Sequence, residues 1–207
     1  YSNSFRMDRI VKYPKIQTTY GRGTQGVTDE GSTITTYFGE AYPEGTELFD
    51  NVRNFFQTST TQRHNLSVSG GTEANTYRVS ASYVDVGSFI PNAGQQKFNL
   101  GSTLTSKLNK YISTDVSFAY TKSDVQSVFN VNGGPMLGLL SWPSDDDARN
   151  YLDSNGNRRF FSASTTGSEL ENAFFNVNKN ILENNRDSYV TSAKVVIDPT
   201  SWLKFVG

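Results

Sequence analysis

The stretch Thr76–Asp85, TYRVSASYVD, separates into two unlike sets when every second residue is read. Tyr77, Val79, Ala81 and Tyr83 form one set; Thr76, Arg78, Ser80 and Ser82 form the other. Alternation with a period of two is the pattern of a strand with one apolar and one polar face. The apolar face carries tyrosine at both ends, and its polar face is mostly small hydroxyls rather than Lys and Glu. A strand with lipid on one side and a wet lumen on the other has this composition. About ten residues at roughly 3.3 Å each, tilted about 40°, reach about 25 Å, the height of an outer-membrane barrel's apolar band.

The pattern recurs on both sides of this strand. His64, Leu66 and Val68 share a face opposite Asn65, Ser67 and Ser69. Phe98, Leu100 and Leu104 share one within Lys97–Ser106. Ile112, Thr114, Val116, Phe118 and Tyr120 alternate with Ser113, Asp115, Ser117 and Ala119. Tyr189, Thr191, Ala193, Val195 and Ile197 lie together within Asp187–Ile197, and a further strand starts after Ser201. Residues 1–16 add a strand around Phe5 and Met7 that Pro14 ends. The chain is therefore read as all-β, with about six or seven antiparallel strands.

The connections alternate in length. Short turns are expected at 70–75, 107–110 and 198–200, and long loops at about 17–60, 86–96 and 122–186. Outer-membrane barrels pair short periplasmic turns with long outer loops. Tyr83, Phe98, Tyr120 and Tyr189 then fall at the outer interface, and Tyr77, Ile112 and Trp202 at the inner one, as aromatic girdles. Within the long loops, Thr46–Thr58 and Pro135–Leu140 have helical spacing, and Asp153–Asn157 reads as a tight turn.

Composition agrees with a barrel wall. In 207 residues, charged side chains are 19% against about 25% in ordinary globular domains, and aromatics are 13%. A net charge of -1 offers no basic field for nucleic acid. The absence of cysteine excludes disulfides and thiolate chemistry. No apolar run is long enough for a transmembrane helix. The chain begins without a Met and ends within an alternating run, which is read as an internal piece of a larger protein.

Few side chains suggest chemistry. The only histidine, His64, lies on the apolar face without evident ligand partners and is read as structural. Asp145–Asp147 and the Asp153–Asn157 turn suit a solvated loop better than a calcium site, because the glycine is misplaced and the terminal acidic ligand is missing. Trp142, with Asp145 and Asp146 after it, is the candidate substrate contact in an outer loop, the ring as a sugar-stacking platform. Arg78, Ser80, Ser113 and Asp115 are expected to face the lumen. No catalytic constellation, metal site or cofactor is expected. The YGRGTQG segment lacks the Lys-Ser/Thr ending of a phosphate loop.

Several stretches resemble one family. PKIQTTYGRGTQG (Pro14–Gly26), LFDNVRNFFQT (Leu48–Thr58), HNLSVSGGTEANTYRVSASYVDVGSFIPN (His64–Asn92) and NRDSYVTSAKVVIDPTSWLKFVG (Asn185–Gly207) are similar to SusC/RagA-like TonB-linked outer-membrane transporters of the Bacteroidota. The resemblance covers most of the chain and is weakest at 122–184. It implies that 1–207 belongs to one transmembrane β-barrel of about 22 strands with a plugged lumen, the plug lying outside this chain. It further implies import of a nutrient such as a glycan or peptide, and not an enzyme. The partners it implies are a SusD-like surface lipoprotein, TonB acting through the plug, and outer-membrane lipid; it also allows a homodimer of the transporter pair. A passive porin or barrel scaffold, and a surface carbohydrate-binding or adhesion β module, are the alternatives.

Overall fold

The computed structural model describes residues 1–28, 37–128, 134–159 and 172–207. In chain order the elements are β1 (Ser2–Asp8), β2 (Gly23–Thr24), β3 (Val27–Thr28), α1 (Asn51–Phe55), β4 (Ser59–Gly71) and β5 (Asn75–Gly87). They continue with β6 (Gly94–Lys107), β7 (Ile112–Val128), α2 (Gly134–Ser141), α3 (Ala173–Lys179), β8 (Ile181–Thr200) and β9 (Leu203–Val206).

Seven strands form one antiparallel sheet in the order β1-β4-β5-β6-β7-β8-β9. Neighbours in the sheet are neighbours in sequence, except that the 9–58 segment separates β1 from β4. The sheet does not close on itself. β1 and β9 leave ladder groups open along both edges among the described residues, the pairing surface that closure into a barrel removes.

The ladder outruns the alternation. β7 continues to Val128 and β8 starts at Ile181, both inside the expected 122–186 loop. The connection between β5 and β6 is 88–93 rather than 86–96, and β4 starts at Ser59, inside the expected 17–60 loop. At its other end β8 runs to Thr200, so the turn expected at 198–200 lies at Ser201–Trp202, after a register shift between Ile197 and Thr200. At the strand ends near the cap the reason is physical: alternation is needed only where one face meets an apolar medium, and segments such as Lys122–Ser127 extend the ladder without a continuous apolar face.

The inner turns are held by side chains. Thr72 Oγ1 accepts from the Ala74 and Asn75 amides at 3.3 and 3.2 Å, and Asn109 Oδ1 from those of Tyr111 and Ile112 at 2.8 and 3.0 Å. Gly71 has φ +153° and its position faces the Asn75 carbonyl, which leaves no space for a Cβ.

The buried core lies beyond the end of the sheet from which the long connections leave. Val52 and Phe55 of α1, Leu139 of α2, Trp142, Ala148, and Phe174 and Val177 of α3 pack with Val128 at the tip of β7. Phe55 meets Phe174 edge to face at 5.2 Å. The long connections therefore build a packed cap with two of the expected helical turns and a third helix, α3, that no apolar period announces. The parts of the expected 17–60 and 122–186 loops at 29–36, 129–133 and 160–171 lie outside the described residues.

Candidate functional site

The register assigns every sheet residue to a face. Across β4, β5, β6, β7 and β8, Leu66, Ala81, Leu100, Tyr120 and Tyr189 stand side by side. Val68, Val79, Ser102, Phe118 and Thr191 form the next row, and Tyr77, Leu104, Val116 and Ala193 the one after. No described residue packs over these side chains: Leu66 is 53% exposed, Val79 46% and Tyr189 68%. Phe5, Val68, Leu104, Val116, Val195 and Phe205 extend the same exposed surface. An apolar surface continuous over seven strands far exceeds the few hundred Å² that a water-soluble monomer shows.

Aromatic rows bound this surface. Tyr120 stacks on Tyr189 at 4.8 Å and donates to Asp187 Oδ1 at 2.6 Å; Phe98 lies 6.3 Å from Tyr120. Tyr83 is paired with Phe98 in the same band. At the opposite end Tyr77 covers Gly70, and Trp202 sits in the β8–β9 turn, 81% exposed. Tyr and Trp with a polar tip at each margin of an apolar face are what a water–lipid boundary favours. His64 takes its partners from the amino-terminal segment: Tyr1 Oη lies 2.8 Å and Asn3 Nδ2, on β1, 2.9 Å from its Nδ1.

The other face is polar and concave. Arg78, Ser80, Ser113 and Asp115 all lie on it by register, with Ser67, Ser82, Asn99, Thr121 and Ser192. Its side chains link strand to strand: Asn99 Nδ2 donates to Ser82 Oγ at 2.9 Å, and Thr121 Oγ1 to Asn99 Oδ1 at 3.0 Å. Ser117 Oγ lies 2.7 Å from Ser192 Oγ. Hydroxyl and amide cross-links rigidify a wall without placing charge on it. The trough encloses about 740 Å³ above Asn65, Arg78, Ser80, Gly101 and Thr121.

The cap places the expected substrate-contact residues in fixed roles. Trp142 is 3% exposed, inside the core, so its ring presents no stacking face to solvent. Asp146 accepts from Arg159 at 2.7 Å, and Asp147 pairs with Arg149 at 2.8 Å. That pairing holds the Asp147 carboxyl below its usual range, mainly through the Arg149 hydrogen bond. Asp145 accepts from Tyr42 Oη at 3.4 Å, and burial, helped by this carboxylate, pushes the Tyr42 phenol up to about 12. Asp153 Oδ1 accepts from the amides of Asn155 and Asn157 at 2.9 and 2.8 Å, which lowers its pKa and commits that oxygen to its own turn.

Sequence reading missed the two buried asparagines that order the cap. Asn51 Nδ2 donates to the carbonyls of Pro143 and Asp146 at 3.2 and 3.0 Å. Asn172 caps α3 by accepting from the Phe174 and Phe175 amides at 2.8 and 3.2 Å. The only available signal was an Asn before an apolar run, as in ENAFFNV, which is too common to select one. Among the described residues no group of three or more His, Cys, Asp and Glu is placed to hold a metal.

An exposed apolar face, a polar trough, rim aromatics and two open edges define an open antiparallel sheet of the kind that forms part of a β-barrel wall. The same fold occurs in the RagAB peptide importer in its "closed-closed" state, with a TM-score of 0.55 and 16% identity over 74% of this chain and 17% of that one. A second structure of the RagAB peptide transporter gives a TM-score of 0.56 and 16% identity over 74% of this chain and 18% of that one. The chain thus spans less than a fifth of either. No protein-family model matches it, and no curated protein does.

Proposed function

We propose that this chain is part of the wall of a TonB-dependent importer in the outer membrane of a Gram-negative bacterium, by resemblance one of the Bacteroidota. The observation that carries the reading is the segregation of the sheet into a solvent-stranded apolar face and a hydroxyl-lined concave one, in a fold shared with a peptide importer. The apolar face meets lipid between the Tyr77 and Tyr120 levels. The polar face, with Arg78, Ser80, Ser113 and Asp115, lines the path or pairs with a plug. The cargo is a nutrient such as a peptide or glycan. A SusD-like lipoprotein closes the outer side over the cap, TonB acts through a plug supplied elsewhere in the protein, and the pair of subunits doubles into a dimer. The wall binds and guides; it performs no catalysis.

Uptake by cells carrying the intact gene tests this. Import of peptides or glycans that stops on deletion of TonB supports the active importer. Import that persists without TonB makes the barrel a passive pore, a reading the same sheet permits.

A further inference from the structure

On β4 to β8 the charges of the wall are sorted by sign between its faces near the outer rim; on β1 the polar face carries Arg6 and Asp8, which pair with each other at 2.7 Å. Arg63, Lys97 and Arg186 share one register row of the polar face, on β4, β6 and β8: Arg63 pairs with Val84, Val84 with Lys97, Lys97 with Ser123 and Ser123 with Arg186. All three are exposed, and none forms an ion pair among the described residues. At the same height the opposite face carries Asp85, Asp124, Glu183 and Asp187, with Lys122 paired to Asp124 at 3.6 Å. A net charge of -1 conceals this division.

The three cations occupy alternate strands, so their backbones stand about 10 Å apart, twice the roughly 4.8 Å strand spacing. Directly inward of them the row Asn65, Ser82, Asn99, Thr121 and Ser188 is neutral and internally hydrogen-bonded. The row therefore stands above a neutral wall, with the self-paired Arg6 and Asp8 beside it: three cations without an ion pair, two of them guanidinium forks suited to carboxylates. Unpaired cations of one sign, spaced along the concave side of a trough, concentrate anions there and repel cations.

We propose that Arg63, Lys97 and Arg186 form a selectivity row at the outer mouth that takes the carboxylates of an anionic oligomeric solute. This rests on the reading of the polar face as the lumen. A peptide in the polyproline II conformation rises about 3.1 Å per residue with three residues per turn, so acidic side chains three residues apart lie on one side about 9 Å apart and match the spacing of the row.

The test uses the full-length protein purified from the outer membrane in detergent. Binding is measured by calorimetry for a decapeptide with Glu at every third position, for its Gln counterpart, and for an oligogalacturonate beside its neutral methyl ester. The expected result is a preference of about tenfold or more for at least one acidic probe at low salt, shrinking at high salt and lost in R63Q/K97Q/R186Q. The arm that responds identifies the source of the carboxylates. Equal binding of acidic and neutral forms overturns the proposal. So does a triple variant that keeps the preference while its unfolding temperature drops, which would mean that the row pairs with carboxylates of the protein itself. Failure of the lumen reading shows separately, as labelling of Val79→Cys by a water-soluble maleimide whatever the binding result.

Discussion

Asn51 and Asn172 grip the backbone of the same residue, Ala148, from either side of its Cα. The Ala148 amide donates to Asn51 Oδ1 at 3.0 Å, and the Ala148 carbonyl accepts from Asn172 Nδ2 at 2.9 Å. Asn51 begins α1 and Asn172 caps α3, so one residue of the intervening loop joins the two helices. All three residues are buried. The cap is thus ordered by a polar clamp inside an apolar core, where an unmet hydrogen-bond group is costly.

Truncating either asparagine should loosen the cap. Asn51→Ala leaves the Ala148 N–H unmet, and Asn172→Ala removes an N-cap as well; each is expected to cost about 1–3 kcal/mol. Because both hold the backbone of one residue, Ala148, the double variant should depart from additivity by about 0.5–3 kcal/mol. Hydrogen exchange of the α1 and α3 amides in the full-length protein reads the change, about tenfold faster exchange per 1.4 kcal/mol. Additive effects would mean the clamp does not operate as a unit.

Trp142→Ala should open a cavity at the centre of the cap and cost it about 3–5 kcal/mol. Amides of α1, α2 and α3 should exchange faster while those of β5 and β6 keep their protection. Unchanged exchange in the cap would show that the ring does not support it.

Acid should act on the cap before the wall. Asp147, through Arg149, and Asp153, through its turn amides, have folded pKa values below their unfolded ones. Their stabilisation is fully present above the unfolded carboxylate range, about 4, and is lost as pH falls through the lower folded values. Proteolytic sensitivity at 145–157 should be flat from about pH 7 to 5 and rise below about 4. Asp147→Asn should remove part of that rise.

The inner hairpin should not tolerate a side chain at Gly71. Gly71→Ala places a Cβ against the Asn75 carbonyl at a positive φ, and the strain is expected at about 1–3 kcal/mol. The gel-mobility assay of heat-modifiable barrels should show a smaller folded fraction at a given temperature. Gly156→Ala, where φ is +80° but no atom lies within 4 Å, should cost less.

The sheet was legible because its two faces differ in chemistry. Tyr77-x-Val79-x-Ala81-x-Tyr83 and Val116-x-Phe118-x-Tyr120 alternate where one face is apolar and the other polar, and there strand and face could both be read. Beyond that band the pattern ends: Lys122–Val128 and Ile181–Arg186 continue the backbone ladder without a sustained apolar face, so their strands carry no period. The cap was illegible for another reason. Its core draws single residues from distant segments, Val52, Val128, Trp142 and Val177, and no local window contains that pattern. Trp142 reads as a loop aromatic in sequence because the residues that bury it are elsewhere in the chain.

The central claim is that the two faces of Thr76–Asp85 meet different media, and alternation of chemical access measures it most directly. This 207-residue chain has no cysteine, so single cysteines at 78 to 82 report their own positions. They are placed in the full-length protein in outer membranes and exposed to a water-soluble maleimide. The account predicts labelling at Arg78→Cys, Ser80→Cys and Ser82→Cys, and protection at Val79→Cys and Ala81→Cys until detergent is added. Labelling of all five positions alike, or of the odd positions alone, would contradict it.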